Sequence, residues 1–128
     1  STLGETLLTP TRIYVKPVLA AVEAADVKAI SHITGGGFYE NIPRMMREGL
    51  TARVEKASVP VPPIFSLLQK TGNIPERDMY NTFNMGVGLC MAVSPETAQS
   101  ALDALNAAGE KAVVLGEVVE GNEGVVLC

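Results

Sequence analysis

At 128 residues, 47% apolar and 19% charged, the chain is long and apolar enough for one folded core and is excluded from the disordered class. Its formal net charge of −4 argues against a nucleic-acid partner, although Arg12, Lys16 and Arg44 leave room for a local phosphate site. No apolar run approaches the roughly 20 residues of a membrane helix, no signal peptide is visible over residues 1–10, and Cys90 and Cys128 lack the number and spacing of a disulfide framework, so a reducing cytoplasm is expected.

Residues 1–10 read as a lead-in. Residues 11–25 predict a helix: Pro17 suits a first turn, and Val18, Leu19, Val22 and Ala25 recur at helical spacing as one apolar face. Asp26-Val27-Lys28 makes a turn. Residues 28–33 predict a strand, with Ala29, Ser31 and Ile33 on one face and Ile30 and His32 on the other. Residues 38–46 predict a short helix, or a turn leading into one, limited by Pro43. Alternation over residues 50–56 predicts a second strand.

The prolines of residues 59–63 preset an extended connector. Pro63 opens a helix over residues 64–71, with Gly72 just after it as the closing residue. Pro75 opens another through about Phe83, with Met79 and Phe83 inward. Residues 84–93 form the most apolar run and predict a strand buried on both faces. Gly86 and Gly88 would weaken that strand, so they mark a close approach. Cys90, inside this run, reads as a buried hydrophobe. Ser94 as N-cap and Pro95 as first residue predict a helix through residue 108, with Ala98, Ala101, Leu102 and Leu105 inward and Gly109 closing it. Residues 112–119 predict a strand with a kink at Gly116, and residues 125–127 an edge strand after a turn. The order implies one α+β domain over residues 1–128, a mixed β-sheet packed against helices.

Chemically able residues concentrate at residues 32–44, His-Ile-Thr-Gly-Gly-Gly-Phe-Tyr-Glu-Asn-Ile-Pro-Arg. Three glycines let a backbone turn sharply and present its N–H groups to an anion. Glu40, Asn41 and Arg44 follow within two turns, and Asn41 and Arg44 share a face if that segment is helical. The plain alternative is a flexible turn. No Gly-Lys-Ser/Thr follows, and Glu40 stands where a dinucleotide fingerprint needs glycine. Spacing alone therefore supports a possible anion-binding loop. His32, the only histidine, has two open readings: a hydrogen-bonded structural residue, or a proton carrier.

The 32–44 segment resembles the signature of the phosphoribosylformylglycinamidine cyclo-ligase (aminoimidazole ribonucleotide synthetase) family. Three further stretches agree in order: Leu7-Leu8-Thr9-Pro10-Thr11-Arg12-Ile13-Tyr14-Val15-Lys16, Pro60-Val61-Pro62-Pro63-Ile64-Phe65, and Met79-Tyr80-Asn81-Thr82-Phe83-Asn84-Met85-Gly86-Val87-Gly88. Gly116-Glu117-Val118 also fits. The resemblance covers essentially the whole chain but only the C-terminal half of the family's two-domain enzyme, whose N-terminal domain carries much of the ATP site. It implies the family's C-terminal architecture, with partial likeness to a ferredoxin-like arrangement. It also implies a cytoplasmic, ATP-dependent ligase of purine biosynthesis that closes the imidazole ring of aminoimidazole ribonucleotide from formylglycinamidine ribonucleotide.

From that resemblance, Gly35, Gly36 and Gly37 are expected to cradle phosphate, and Asn41 and Arg44 to bind substrate or nucleotide. Thr34 and Arg12 follow as weaker candidates, Asn84 as a border of the nucleotide site, and His32 as the catalytic candidate. ATP and Mg²⁺ are the expected cofactors, with the metal carboxylates in the missing domain and no metal ligand assigned here. The missing N-terminal domain, and a second copy of the intact enzyme, are the expected partners; nucleic acid and membrane are not. The alternatives are a non-catalytic phosphate-binding or assembly fragment, or a domain of another enzyme of the same ATP-binding superfamily.

Overall fold

A computed structural model describes all residues 1–128. The fold is α+β, with two small sheets in place of one. Strands β1 (Val27–His32) and β3 (Leu89–Val93) form an antiparallel pair, irregular between Val27 and Ala29. Strand β2 (Leu50–Val54) is central in the other sheet. It pairs antiparallel with β4 (Gly116–Glu120) and parallel with the edge strand β5 (Val125–Leu127), so this sheet is mixed. No helix is long and apolar enough to cross a membrane.

The core lies between the sheets and the short helices that join them. Phe38 and Ile42 from the segment after β1 meet Met79 and Tyr80 of helix α5 (Glu76–Thr82), with Ala52, Val54 and Val125 below. Phe38 and Tyr80 stand edge-on, ring centres 5.3 Å apart. In β1 the expected alternation holds: Ser31 is buried, while Lys28, Ile30 and His32 face out.

Several elements depart from expectation for local reasons. Residues 1–10 contain helix α1 (Leu3–Leu7), held by a capping box: Thr2 Oγ1 accepts from the Glu5 N–H at 3.2 Å, and Glu5 accepts from the Thr2 N–H at 2.8 Å. Helix α2 begins at Val15 and not at residue 11, as α2 (Val15–Ala24). Pro17 can occupy only a first turn, because further in its ring would strike the carbonyl four residues back. The face α2 buries is also not the predicted one. Pro17 and Ala21 are buried, and α2 lies along α6 (Ala98–Ala107), whose Ala101 is buried too, so small side chains set the contact. Leu19 and Val22 are left 60% and 48% exposed.

The strand expected over residues 84–93 starts only at Leu89. Asn84 Oδ1 accepts the Gly86 N–H at 2.9 Å, and Met85 and Gly86 both take positive φ, 52° and 91°. That is a side-chain-closed turn, incompatible with a strand. Helix α4 (Pro63–Gly72) keeps Gly72 as its last residue and is closed by Asn73, in the left-handed region at φ 49°. The Ser94 hydroxyl bonds that of Thr97 at 2.9 Å instead of capping a backbone N–H, and Pro95–Thr97 forms a 3₁₀ turn ahead of α6. Within residues 112–119, predicted as strand, the strand proper begins at Gly116, where a Cβ would collide with the Arg53 carbonyl across the ladder.

Candidate functional site

The loop between β1 and helix α3 (Gly37–Asn41) carries most of the predicted site residues. Its three glycines have different duties. Gly37, at φ 60°, lies where a Cβ would run into the Tyr80 and Phe83 carbonyls at the end of α5. Gly36, at φ 102°, leaves room for the Glu40 side chain. Gly35 is exposed, is absent from the positive-φ positions, and a Cβ on it would meet nothing within 4 Å. The Gly37 N–H donates to the Thr34 carbonyl at 3.0 Å, whereas no backbone carbonyl takes the Gly35 or Gly36 N–H.

Asn41 is 3% exposed and sits behind this loop. Its Nδ2 donates to the carbonyls of Gly37 at 2.9 Å and of Thr34 and Gly35 at 3.3 Å each. Its Oδ1 accepts from Arg44 Nη1 at 3.2 Å. Arg44 lies on the 3₁₀ turn Ile42–Met45, is exposed, and is absent from the ion pairs of the chain. Glu40 does not hold Arg44: its Oε2 accepts from Asn81 Nδ2 at 2.7 Å.

Arg12 and His32 share a groove whose lining includes neither Asn41 nor Arg44. They line this open groove of about 440 Å³ with Tyr14, Val15, Val18, Leu19, Ile30 and Leu89. His32 presents its ring edge-on to Tyr14, centres 6.0 Å apart. A Cβ on Gly88 would coincide with the Tyr14 hydroxyl, so Gly88 serves packing. Arg12 Nη1 bonds Glu110 Oε2 at 2.7 Å, and that bond holds the guanidinium pKa above its ordinary value. Burial, seconded by the Glu110 charge, raises the Tyr14 phenol. Asn84 spends its carboxamide oxygen on its own turn. Thr34 is exposed and contributes its carbonyl to the loop.

A family model described as "AIR synthase related protein, C-terminal domain" matches residues 1–128. The chain belongs to this family. A protein of Lachnoclostridium phytofermentans named phosphoribosylformylglycinamidine cyclo-ligase is 56% identical over 128 residues, 99% of this chain but 38% of that protein. Proteins of the same name from Acetivibrio thermocellus and Bacillus subtilis are 53% and 54% identical, over 100% and 96% of this chain and 38% and 35% of their own length. The AIR synthase-related domain thus spans little more than a third of the relatives it matches.

No group of three or more His, Cys, Asp or Glu side chains is gathered anywhere in the domain. At the loop the one carboxylate is Glu40, whose Oε2 accepts from Asn81, so these residues do not make an all-protein cage for Mg²⁺. Cys90 is buried, its thiol pushed up to about 12 by desolvation, which makes it inert. Sequence reasoning missed Ser31, Asn81 and Glu110 as partners of the predicted residues. Asn81 lies inside a quoted motif and was visible there. Glu110 is 98 residues from Arg12, and nothing local announces that pair.

Proposed function

We propose that this chain is the C-terminal domain of a phosphoribosylformylglycinamidine cyclo-ligase and that its glycine loop holds a phosphate of the substrate or nucleotide. The observation that carries the reading is identity above half with proteins of that name along the whole domain. The loop geometry supports it. Gly35 and Gly36 have N–H groups with no backbone acceptor, Gly35 has open space beside it, and Arg44 is a cation with no carboxylate partner. Backbone donors beside an arginine fork suit a phosphate.

In this reading the intact enzyme uses ATP to activate the formamide oxygen of formylglycinamidine ribonucleotide. An amidine nitrogen attacks the activated carbon and phosphate leaves. This chain contributes binding: Gly35, Gly36 and Arg44 grip phosphate, Thr34 borders them, and Arg12 and His32 line the neighbouring groove, with His32 as proton carrier. Asn84 is a weaker candidate, since its oxygen is engaged. ATP and the Mg²⁺ carboxylates are assigned mainly to an N-terminal domain, which is also the expected partner. A homodimer of the assembled enzyme and a cytoplasmic location complete the proposal.

Cyclo-ligase turnover tests it, measured on this chain alone and on the chain mixed with a separately made N-terminal domain from the L. phytofermentans relative. Activity is expected only in the mixture. A mixture shown to associate but inactive overturns the reading. It would favour an assembly module without chemistry, which the exposed Val15, Leu19 and Ile30 of the groove also suit.

A further inference from the structure

We propose that Asn41 is a positioning residue that holds the glycine loop open and aims Arg44, and that it does not itself touch the ligand. This deepens the phosphate reading above and rests on it. Asn41 is joined to the loop and to Arg44 through its side chain, and to β1 through its backbone carbonyl. Its Nδ2 gathers the carbonyls of Thr34, Gly35 and Gly37. A carbonyl turned inward turns the next peptide N–H outward, since the two are antiparallel across a planar peptide unit. Drawing the Thr34 and Gly35 carbonyls toward Asn41 therefore directs the Gly35 and Gly36 N–H groups away from it, and these are the two without a backbone acceptor. The other end of the carboxamide takes one Arg44 N–H, leaving the rest of the fork free.

Asn41 is itself fixed. Its backbone carbonyl accepts the buried Ser31 hydroxyl at 2.9 Å, which ties it to β1, the strand that feeds the loop. With 3% exposure and both ends of the amide engaged, it has no donor left for a ligand. Only a carboxamide meets both demands here. A carboxylate would face three carbonyl oxygens, and a hydroxyl would not reach both the loop and Arg44.

The test is phosphate binding by the ¹⁵N-labelled 128-residue chain, followed by NMR with inorganic phosphate and then ribose 5-phosphate. In the wild type the Gly35 and Gly36 amides should shift and saturate, while the Asn41 side-chain NH₂ signal should barely move. If that NH₂ signal shifts as much as the glycine amides, Asn41 is a ligand contact and the proposal is wrong; this measurement needs no variant. Asn41→Asp should weaken phosphate by about tenfold or more at neutral pH. Taken as a ratio to wild type at each pH, so that the ligand's own protonation cancels, the loss should shrink at acid pH, where a protonated carboxyl regains one donor. Unchanged affinity in Asn41→Asp also overturns the proposal. Should that variant fail to fold, the wild-type signal decides. No shift of Gly35 or Gly36 with either phosphate would instead remove the phosphate reading and, with it, this inference.

Discussion

Substituting the two outer glycines of the loop separately should divide folding from binding. Gly37→Ala places a methyl at φ 60° and against the Tyr80 and Phe83 carbonyls. The left-handed backbone costs about 1–2 kcal/mol for a non-glycine residue. Forcing an atom into filled space adds about 1–3 kcal/mol. The expected loss is therefore about 2–5 kcal/mol, a large share of the ~5–15 kcal/mol that holds a typical domain folded. Gly35→Ala adds the same methyl where nothing lies within 4 Å and φ is not positive. Its cost should stay within about 0.5 kcal/mol. Urea unfolding by circular dichroism measures both. With a slope of about 1–3 kcal/mol per molar urea, Gly37→Ala should lower the midpoint by roughly 1 M or more. Phosphate titration should then show the reverse order of specific effects: Gly35→Ala, although stable, binds more weakly because its methyl enters the space beside the free N–H groups. Equal stability of the two variants would refute the division of duties. So would full phosphate affinity in Gly35→Ala.

Arg44→Gln should cost about 1 kcal/mol of stability for the lost bond to Asn41 Oδ1 and weaken phosphate by about tenfold, the worth of one charge-assisted hydrogen bond, as read by urea unfolding and titration. Native Cys90 should resist iodoacetamide while exposed Cys128 reacts, in a mass-spectrometric count of adducts. The raised Cys90 pKa also gives a pH dependence of known sign. Between about 9 and 12 the unfolded thiol loses its proton while the folded one keeps it, so stability falls as pH rises, by about 1.4 kcal/mol per unit. Wild type minus Cys90→Ala in alkaline urea melts should isolate that slope, and a flat difference would contradict it. Arg12→Ala should cost under about 1 kcal/mol, because the Glu110 pair is mostly solvent-exposed on the arginine side.

What the sequence conveyed was whatever local chemistry decides. Alternation placed Ser31 and His32 on opposite faces of β1, and prolines 63 and 75 marked the openings of α4 and α5. The capping box Thr2–Glu5 was equally local and should have been read from its spacing. Two other departures depend on partners far along the chain. The inward face of α2 was assigned by hydrophobicity, yet Ala21 and Ala101 let two helices approach closely and leave Leu19 outside, which only the neighbour could dictate. Glycine count likewise suggested one role for residues 35–37, but the carbonyls of Tyr80 and Phe83 claim Gly37 and leave Gly35 free.

The direction of the Asn41 side chain was likewise beyond local spacing. A polar residue after a glycine loop reads as a ligand contact, because spacing reports which side chains are near a loop and not which way they face. The structure turns its carboxamide inward, onto three carbonyls of the loop it was expected to assist from outside. The residue type was still informative. An amide is needed where one side chain must donate to carbonyls and accept from an arginine, and Asn41 does both. The sequence thus showed which polar side chains lie near the loop, while the direction in which the Asn41 carboxamide points required the third dimension.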